Sequence, residues 1–461
     1  MIKLGGKHKR LNIIDLKKNY PEKFGRFVMA LKYLEESDDW YRICGIHGNT
    51  FKPNDKGVLC PTNPEIVTII GETGEPFYCK HSVYSFIAWH TPYVYQFELL
   101  LNKYNKSQNE DYITLPYLDL TNVTDDFTFL NEPTISIIYD KKRIIIDNPL
   151  ASAYYYKDGV KTKITRDGFF TPTTHQQKLQ LKTVKKQLNN ALYATNYEQF
   201  SSVPVTHKPS NVIVDYVPLE TPHNQLHDII GGNSGNMSDI SISAFDPVFW
   251  LHHCNMDRHF YSWMYYNTND FSKSIYPEKM LIKTYEASHA PFFTNYIYNN
   301  DAHKYNYGWK NSEGIYMTLK EMLHLEKFPY TYDIIRPTPK TELKAFFELI
   351  DIPIPRESIT INMYMYKNNE LLNREFHLAG SASWFGINRN VKKCLRCDVT
   401  RTNIKIDIED YVTLHKITMD NINEYKIIVE GEGKLIKNLG NYMVYSLHQL
   451  VQDGSYELII R

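Results

Sequence analysis

The sequence predicts a mainly α-helical domain that runs to about residue 340, followed by a β-rich, sandwich-like domain over residues 359–461. Two observations predict this division. In the first part, apolar residues recur with the 3.6-residue spacing of helices that bury one face, as in "RFVMALKYLEE". From about Ile359 apolar and polar residues alternate instead, which is typical of half-buried strands.

Each element follows from the same patterns. Helices are predicted in "RFVMALKYLEE", "HSVYSFIAWHTPYVYQFELLLNKY", "QQKLQLKTVKKQLNNALYATN" and the run after Pro247. Loops rich in Pro, Gly, Asn and Asp separate them. Strands are predicted in "ITINMYMYK", "NIKIDIEDYVTLHKITM", "EYKIIVEG" and "SYELIIR". Residues 341–358, bracketed by prolines, are expected to link the two domains.

Composition narrows the class of protein. The chain has 461 residues, with 43% hydrophobic and 23% charged, which is typical of a folded globular protein. Lysine plus arginine equals aspartate plus glutamate, 52 against 52, so no net charge attracts nucleic acid or an anionic membrane, and neither is expected as a partner. The N-terminus lacks the apolar stretch of a signal peptide, no window is apolar enough to span a membrane, and the 6 cysteines are too sparse for a disulfide scaffold. An intracellular, cytoplasmic location is therefore expected.

The histidines suggest metal ligands. The chain has 17 of them, and random placement gives roughly 0.6 His-x3-His pairs, so the single pair His223 and His227 means little alone. Combined with others, however, it belongs to two groups of three that contain no acidic ligand. Sites made only of imidazoles suit copper, zinc and other late transition metals. The groups are His47, His81 and His90, and His223, His227 and His253.

Several long motifs contain these histidines. They are "ICGIHGNTF", "YCKHSVYSFIAWHTPYVYQFE", "ETPHNQLHDIIGGNSGNMSDISISAFDPVFWLHHCNMDR" and "PYTY". From about residue 26 to the end, the chain resembles the type-3 dicopper proteins, most of all the fungal tyrosinases. The resemblance implies a central antiparallel four-helix bundle that holds two copper ions. The first copper would be bound by His47, in a loop, with His81 and His90; the second would be bound by His223, His227 and His253.

The resemblance also assigns residues around the ligands. Cys79 would form a thioether with His81, as in fungal members of the family; the alternative is a free buried cysteine. Phe86 and Phe249 each precede a ligand histidine by four residues, which places a ring against the imidazole, although both also suit ordinary core packing. Three further residues would support the second copper helix without binding metal. They are His252, Asp257 and Arg258.

The resemblance implies a tyrosinase, which uses dioxygen to hydroxylate monophenols at the ortho position and to oxidise catechols to o-quinones. Its substrates would be phenolic small molecules such as tyrosine and catechols. Glu220 and Asn224 stand where similar tyrosinases hold a water thought to act as the base; the alternative for Glu220 is an acid favoured at a helix N-terminus. Thr91, Ser82 and Asn236 depart from common family residues. A catechol oxidase without monophenolase activity and a hemocyanin-like oxygen carrier are the rival functions.

The β-rich domain carries a second set of candidates. Several fungal pro-tyrosinases have a Cys-x-x-Cys there, linked to copper delivery, and a phenylalanine nine residues upstream that plugs the substrate pocket. Cys394, Cys397 and Phe385 occupy these positions, although Phe385 also suits a sandwich core. The resemblance implies a latent proenzyme whose active site is capped by residues 359–461. An activating protease is then expected as a partner, and homo-oligomerisation is left open.

Overall fold

The structure is a computed structural model. It describes residues 7–48, 51–53, 59–61, 79–108, 111–157, 160–194, 196–202, 217–267, 288–293, 316–335, 345–353, 359–367, 377–384, 401–417, 421, 424–432, 443–446 and 456–460.

The helices fall mostly in the first domain, and each of the four predicted helical segments contains a helix, although residues 81–85 precede theirs and the third helix ends at Ala191. They are α1 (Ile13–Asn19), α2 (Pro21–Glu35), α3 (Asp38–Gly48), α4 (Phe86–Lys103), α5 (Pro149–Ser152), α6 (His175–Ala191), α7 (Tyr197–Ser201), α8 (Glu220–Gly231), α9 (Pro247–Asn267), α10 (Leu319–Met322) and α11 (Glu409–Leu414). Within the described ranges, no helix combines the length and the apolar character needed to cross a bilayer.

The helical domain also contains short strands, and longer strands form the β-rich domain. They are β1 (His8–Arg10), β2 (Phe51–Pro53), β3 (Leu59–Pro61), β4 (Thr134–Tyr139), β5 (Lys142–Asp147), β6 (Tyr154–Lys157), β7 (Val160–Lys163), β8 (Ser288–Phe293), β9 (Tyr316–Thr318), β10 (Tyr330–Tyr332), β11 (Ala345–Pro353), β12 (Ile359–Lys367), β13 (His377–Trp384), β14 (Arg401–Asp407), β15 (Tyr425–Glu432), β16 (Met443–Ser446) and β17 (Tyr456–Ile460).

The central helices α4 and α9 pack against each other through aromatic side chains. The Trp250 ring stacks on Phe97 at 3.9 Å between centroids, and Tyr93 lies 4.7 Å from Trp250. Both tryptophan and tyrosine are fully buried. Rings of this size bury large apolar areas and fix the relative position of two helices. The core is therefore rigid at the point where the helices carry histidines.

Local signals explain where the histidine-bearing helices begin and end. The Asp246 carboxylate accepts a hydrogen bond from the Val248 amide at 2.9 Å, and Pro247 is the first residue of α9, so the pair forms an N-cap followed by proline. Arg166 holds the same carboxylate at 2.6 Å. Helix α8 ends where Gly232 adopts a φ of 63°, a conformation that favours glycine.

The two ends of the helical domain are joined. Strand β1 pairs in parallel with β10, with His8 opposite Tyr330 and Arg10 opposite Tyr332. The buried Arg10 guanidinium binds the Glu98 carboxylate at 2.7 Å and the Asp257 carboxylate at 3.1 Å, and it lies 3.4 Å from the centre of the Tyr330 ring. This arginine therefore connects the first strand to both α4 and α9.

The second domain is a sandwich of two sheets, with strand orders β14-β11-β17 and β13-β12-β15-β16. Phe347 and Ile406 from the first sheet and Met363 and Ile427 from the second share one apolar cluster. Two sequence-based expectations differ from this arrangement. Strand β11 lies within residues 341–358, which were expected to be a linker, because "AFFELIDIP" supplies alternating side chains to the sheet. The predicted strand segment "NIKIDIEDYVTLHKITM" continues into helix α11.

The second domain packs on α6 and α8. The Gln225 side-chain amide donates to the Ser381 hydroxyl at 2.5 Å, and Thr360 donates to Asp228 at 3.1 Å. Lys186 pairs with the nearly buried Asp407 at 3.1 Å. Since Gln225 lies between His223 and His227, the β-rich domain contacts the helix that carries two candidate ligands.

Replacing Arg10 by methionine is expected to lower the free energy of unfolding by about 3–5 kcal/mol, because two buried carboxylates, Glu98 and Asp257, lose their positive partner. Urea denaturation measures the change. Lys18→Gln, an exposed cation on the adjacent α1, is the control and should stay within about 0.5 kcal/mol of the parent. Equal stability of the Arg10 variant and the control would contradict the assigned role.

Candidate metal centre

Four helices and one loop bring the six candidate ligands together. His47 is in the last turn of α3, His90 is on α4, and His253 is on α9. The sequence analysis expected His47 in a loop, but "DDWYRICGIHG" continues as a helix through it. His223 and His227 lie one turn apart on α8, whereas His81 precedes α4. All six are at most 3% exposed.

The first three imidazoles form a compact triad. The ring centre of His47 lies 5.3 Å from His81 and 5.7 Å from His90, and His81 lies 5.3 Å from His90. The Nε2 atoms of His47 and His90 are buried and have no hydrogen-bond partner among the described residues. Lone pairs in this arrangement are typical of a site prepared for a cation.

The second triad is tighter. His223 Nε2 lies 3.2 Å from His253 Nε2, and His227 Nε2 lies 3.4 Å from the same atom. Nitrogens bound to one first-row metal ion at about 2.0–2.1 Å, with tetrahedral angles, are separated by about 3.3–3.4 Å. The donor atoms therefore fit an ion of this class.

The two triads face each other. The rings of His90 and His253 stack with centroids 4.4 Å apart, and His81 lies 5.6 Å from His223. The Phe86 ring lies 5.1 Å from that of His90 and 4.8 Å from that of His223. The Phe249 ring likewise contacts one histidine of each triad, His47 and His253. Both phenylalanines, named from the sequence, are fully buried and contact histidines of both triads.

Hydrogen bonds fix which nitrogen faces inward in four of the six imidazoles. The Nδ1 atoms of His47, His90 and His227 donate to the backbone carbonyls of Ile240, Phe86 and Met237, at 3.0, 2.7 and 2.7 Å. His223 Nδ1 donates to the Asn224 side-chain oxygen at 2.8 Å. A proton on Nδ1 leaves the Nε2 lone pair available to a metal ion.

Burial keeps these imidazoles uncharged. It lowers the pKa of His90 and of His227 from 6.5 to about 3, and the pKa values of His47, His223 and His253 are also well below 6.5 because of burial and of the neighbouring imidazoles. Neutral imidazole is the form that binds metal, so these five imidazoles are ready for coordination at neutral pH.

Cys79 and His252 are not candidate ligands, but each has a sulfur or nitrogen atom close to the ligand nitrogens. The donor atoms of His47, Cys79 and His81 all lie within 4.8 Å of one another, and His252 joins His223, His227 and His253 within the same distance. The structure thus brings Cys79 beside His81, as the sequence suggests. The His252 ring stacks on His223 at 5.0 Å, which suits the supporting position predicted for it.

Glu220 and Asn224 flank His223 on α8, and both are buried. The backbone amide of Ser82 donates to the two oxygens of the Glu220 carboxylate at 2.8 and 3.0 Å, and the Ser202 hydroxyl donates to one of them. Ser82 achieves this with a φ of 53°. A positive φ favours glycine, the common family residue at this position, so Ser82 adopts a backbone angle that is unusual for a serine.

Asp257 and Arg258 are both buried, but they are not partners of each other. Asp257 accepts hydrogen bonds from Thr91 at 2.7 Å, from Tyr332 at 2.5 Å and from Arg10 at 3.1 Å. Arg258 instead pairs with Asp119 at 2.9 Å. Each fixes α9 to a different part of the domain.

Sequence reasoning missed Arg10 and Ser202. Neither lies in a recognisable motif, and each acts through a partner distant in sequence, which no local pattern reveals. The pocket-plug candidate Phe385 and the Cys394–Cys397 pair lie outside the described residues.

The metal-free protein is expected to lose stability as the pH falls below 6.5. Between pH 6.5 and about 3, His90 and His227 bind protons in the unfolded chain but stay neutral in the folded chain. The free energy of unfolding therefore falls by up to about 1.4 kcal/mol per pH unit for each histidine. Urea denaturation at several pH values measures this slope. His90→Leu should reduce it and His175→Leu, at an exposed position, should not. Equal slopes in both variants would refute the explanation.

Comparison with known proteins agrees with this geometry. Residues 37–266 match the family model described as the common central domain of tyrosinase. A tyrosinase from Neurospora crassa is 30% identical over 313 residues, which cover 57% of this chain and 44% of the relative. A solved tyrosinase from Burkholderia thailandensis shares the fold, with a TM-score of 0.66 at 17% identity, covering 98% of this chain and 100% of that one. A functional unit of octopus hemocyanin gives 0.59 at 17% identity, covering 98% and 99%.

The chain spans about half the length of the curated relatives it matches first. All six histidines of the two triads lie within the matched residues 37–266. The chain therefore belongs to the tyrosinase family of type-3 copper proteins, whose cofactor is a binuclear copper centre, and its buried histidine clusters are able to hold metal ions.

Proposed function

We propose that the chain is a tyrosinase, which hydroxylates monophenols at the ortho position and oxidises catechols to o-quinones with dioxygen. The observation that carries the proposal is the pair of facing triads, with His90 and His253 stacked at 4.4 Å. Two copper ions held by these nitrogens would supply the electrons that reduce dioxygen and the positive charge that binds a phenolate oxygen.

The protein's own contribution begins with orientation. Backbone carbonyls hold the imidazoles of His47, His90 and His227 in one tautomer, so Nε2 always faces the centre. Phe86 and Phe249, both fully buried, cover the rings and exclude water from them. A dry site strengthens the interaction of charged groups bound within it.

A monophenol must lose its proton before its oxygen can bind as phenolate, and phenols have a pKa of about 10. Glu220 is the base that we assign. Its carboxylate lies one turn before His223 and is held by the Ser82 amide and the Ser202 hydroxyl. It would take the proton directly or through a water, and the Asn224 amide group is placed to donate to that water, because its oxygen is already bound to His223.

The contact between the two domains supports latency as part of the proposal. Ser381 on β13 binds Gln225, between two ligand histidines, and Phe385 follows the end of the same strand directly. A plug at Phe385 and copper delivery by Cys394 and Cys397 remain proposals from the resemblance, as does a thioether between Cys79 and His81. A protease that cuts in the part of 334–358 that precedes β11 would release the domain.

The likeness to a hemocyanin unit favours a second candidate, reversible oxygen binding without turnover. Oxidation of a catechol by the copper-loaded protein, after release of the β-rich domain, distinguishes the two functions. Turnover supports the enzyme, whereas an oxygen-dependent absorption band without turnover supports the carrier.

Glu220→Gln is expected to lower monophenol turnover about 10²-fold, the usual effect of removing a general base, while catechol turnover changes less than about threefold. The amide still accepts the Ser82 hydrogen bond, so the fold is kept. Quinone formation from tyrosine and from a catechol gives both rates. Glu22→Gln, at an exposed position at the start of α2, is the control. An equal loss of both activities would show that Glu220 is not the base. Catechol turnover alone in the parent protein would indicate a catechol oxidase.

Lys182→Gln combined with Lys186→Gln is expected to raise the catechol turnover of the intact chain about fivefold. The two lysines pair with Asp410 and Asp407 of the β-rich domain at 2.9 and 3.1 Å, and their loss costs about 1 kcal/mol of docking free energy. Lys178→Gln, exposed on the same helix, should have no effect. If proteolysis within 334–358 left turnover unchanged, the latency proposal would fail.

A further inference from the structure

A cavity of about 320 Å³ lies on the N-terminal side of the helical domain, and none of the six histidines of the two triads lines it. It is enclosed by β1, by α1 and α2, and by residues 112–114. The side chains that matter for its chemistry are basic or aromatic. They are Lys7, His8, Lys9, Lys23, Arg26 and Tyr112.

The lining of this cavity has one sign of charge. Three lysines and an arginine contribute to it, and among the described residues that line it there is no aspartate or glutamate. This contrasts with the chain as a whole, where 52 basic residues balance 52 acidic ones. A concave surface lined by one sign of charge concentrates the field and attracts the opposite charge.

Arg26 provides a second, independent observation. It is only 4% exposed, and its Nε has no hydrogen-bond partner among the described residues. Its guanidinium approaches Asp111 at 3.8 Å, beyond hydrogen-bond length, and the side chain of that aspartate is 69% exposed. A buried guanidinium carries five donors that require acceptors, so an oxyanion in the cavity would satisfy a group that the protein leaves incompletely bonded.

Ring stacking and a hydrogen bond fix β1 against residues 112–114 on another side of the cavity. The His8 ring stacks on Tyr112 at 3.9 Å between centroids, and the Thr114 hydroxyl donates to the Lys9 carbonyl at 3.2 Å. These contacts position β1 against residues 112–114, so Lys9 lies on a fixed strand and Lys7 directly precedes it. A preorganised set of cations binds an anion with less loss of entropy than flexible side chains would.

We propose that this cavity is a binding site for the phosphate group of a small multivalent anion. The Arg26 guanidinium would bind two phosphate oxygens, a geometry that matches its planar fork, and Lys9 and Lys23 would neutralise the remaining charge. The site is separate from the proposed oxidation of phenols. It is nevertheless connected to the ionic network beneath the histidines, because the Tyr112 hydroxyl donates to Glu98 at 3.2 Å and β1 continues into Arg10.

Calorimetric titration of the copper-free full chain with sodium pyrophosphate, and separately with inorganic phosphate, tests the proposal. We expect one saturable site at low ionic strength, tighter for pyrophosphate. Lys9→Gln combined with Lys23→Gln should weaken binding at least tenfold, since two of the charges that face the anion are removed. Pyrophosphate should also raise the unfolding temperature of the parent more than that of this variant.

The control is Lys178→Gln combined with Lys185→Gln, which removes the same charge from exposed positions on α6 and should leave the affinity unchanged. Arg26→Gln is avoided as the primary variant because it alters a buried group. The proposal is overturned if the cavity variant and the control bind pyrophosphate equally, or if no saturable binding occurs below about 10 mM, the range of unspecific ion contacts. Neither result depends on copper or on phenol turnover.

Discussion

The structure depends on bringing six imidazoles together in a buried site, where burial keeps five of them neutral. A single imidazolium among rings only 4.4–6.3 Å apart would meet desolvation and repulsion together. The carbonyls that accept the Nδ1 protons resolve this problem. Two of them, from Ile240 and Met237, belong to the irregular segment between α8 and α9. This loop therefore acts as a part of the metal centre although it supplies no ligand.

Buried ion pairs hold the histidine-bearing helices α4 and α9 in place. Arg10, Glu98 and Asp257 form a buried ionic network in which each carboxylate accepts several hydrogen bonds, and Arg258 and Asp119 form a separate pair. Buried charges of this kind add little net stability but penalise any misplaced helix strongly, because a lone charge would remain. They fix the register of α4 against α9, and with it the distance between the two triads.

The sequence predicted the helical domain, the β-rich domain and the histidine groups, because periodicity and ordered motifs are local signals. It did not reveal Arg10, since β1 is three residues long and its partner strand lies more than three hundred residues away in the sequence. The separate partners of Asp257 and Arg258 were hidden for the same reason. Strand β11 was assigned to a linker because the prolines around it outweighed a short alternating pattern. Ser82 is a different case, because motif comparison notes the serine as unusual and the structure shows that its backbone angle is one that favours glycine.

The parallel pairing of β1 with β10 has a consequence for synthesis of the chain. Arg10 is made early, but the strand it pairs with, Tyr330–Tyr332, emerges only after the histidine-bearing helices. Glu98 and Asp257 thus wait for their final arrangement until the last part of the helical domain leaves the ribosome, and contacts of such long sequence separation form slowly. Folding of this domain therefore waits for residues 330–332, and synthesis of the β-rich domain is already under way when they emerge, because β11 follows β10 closely in the chain.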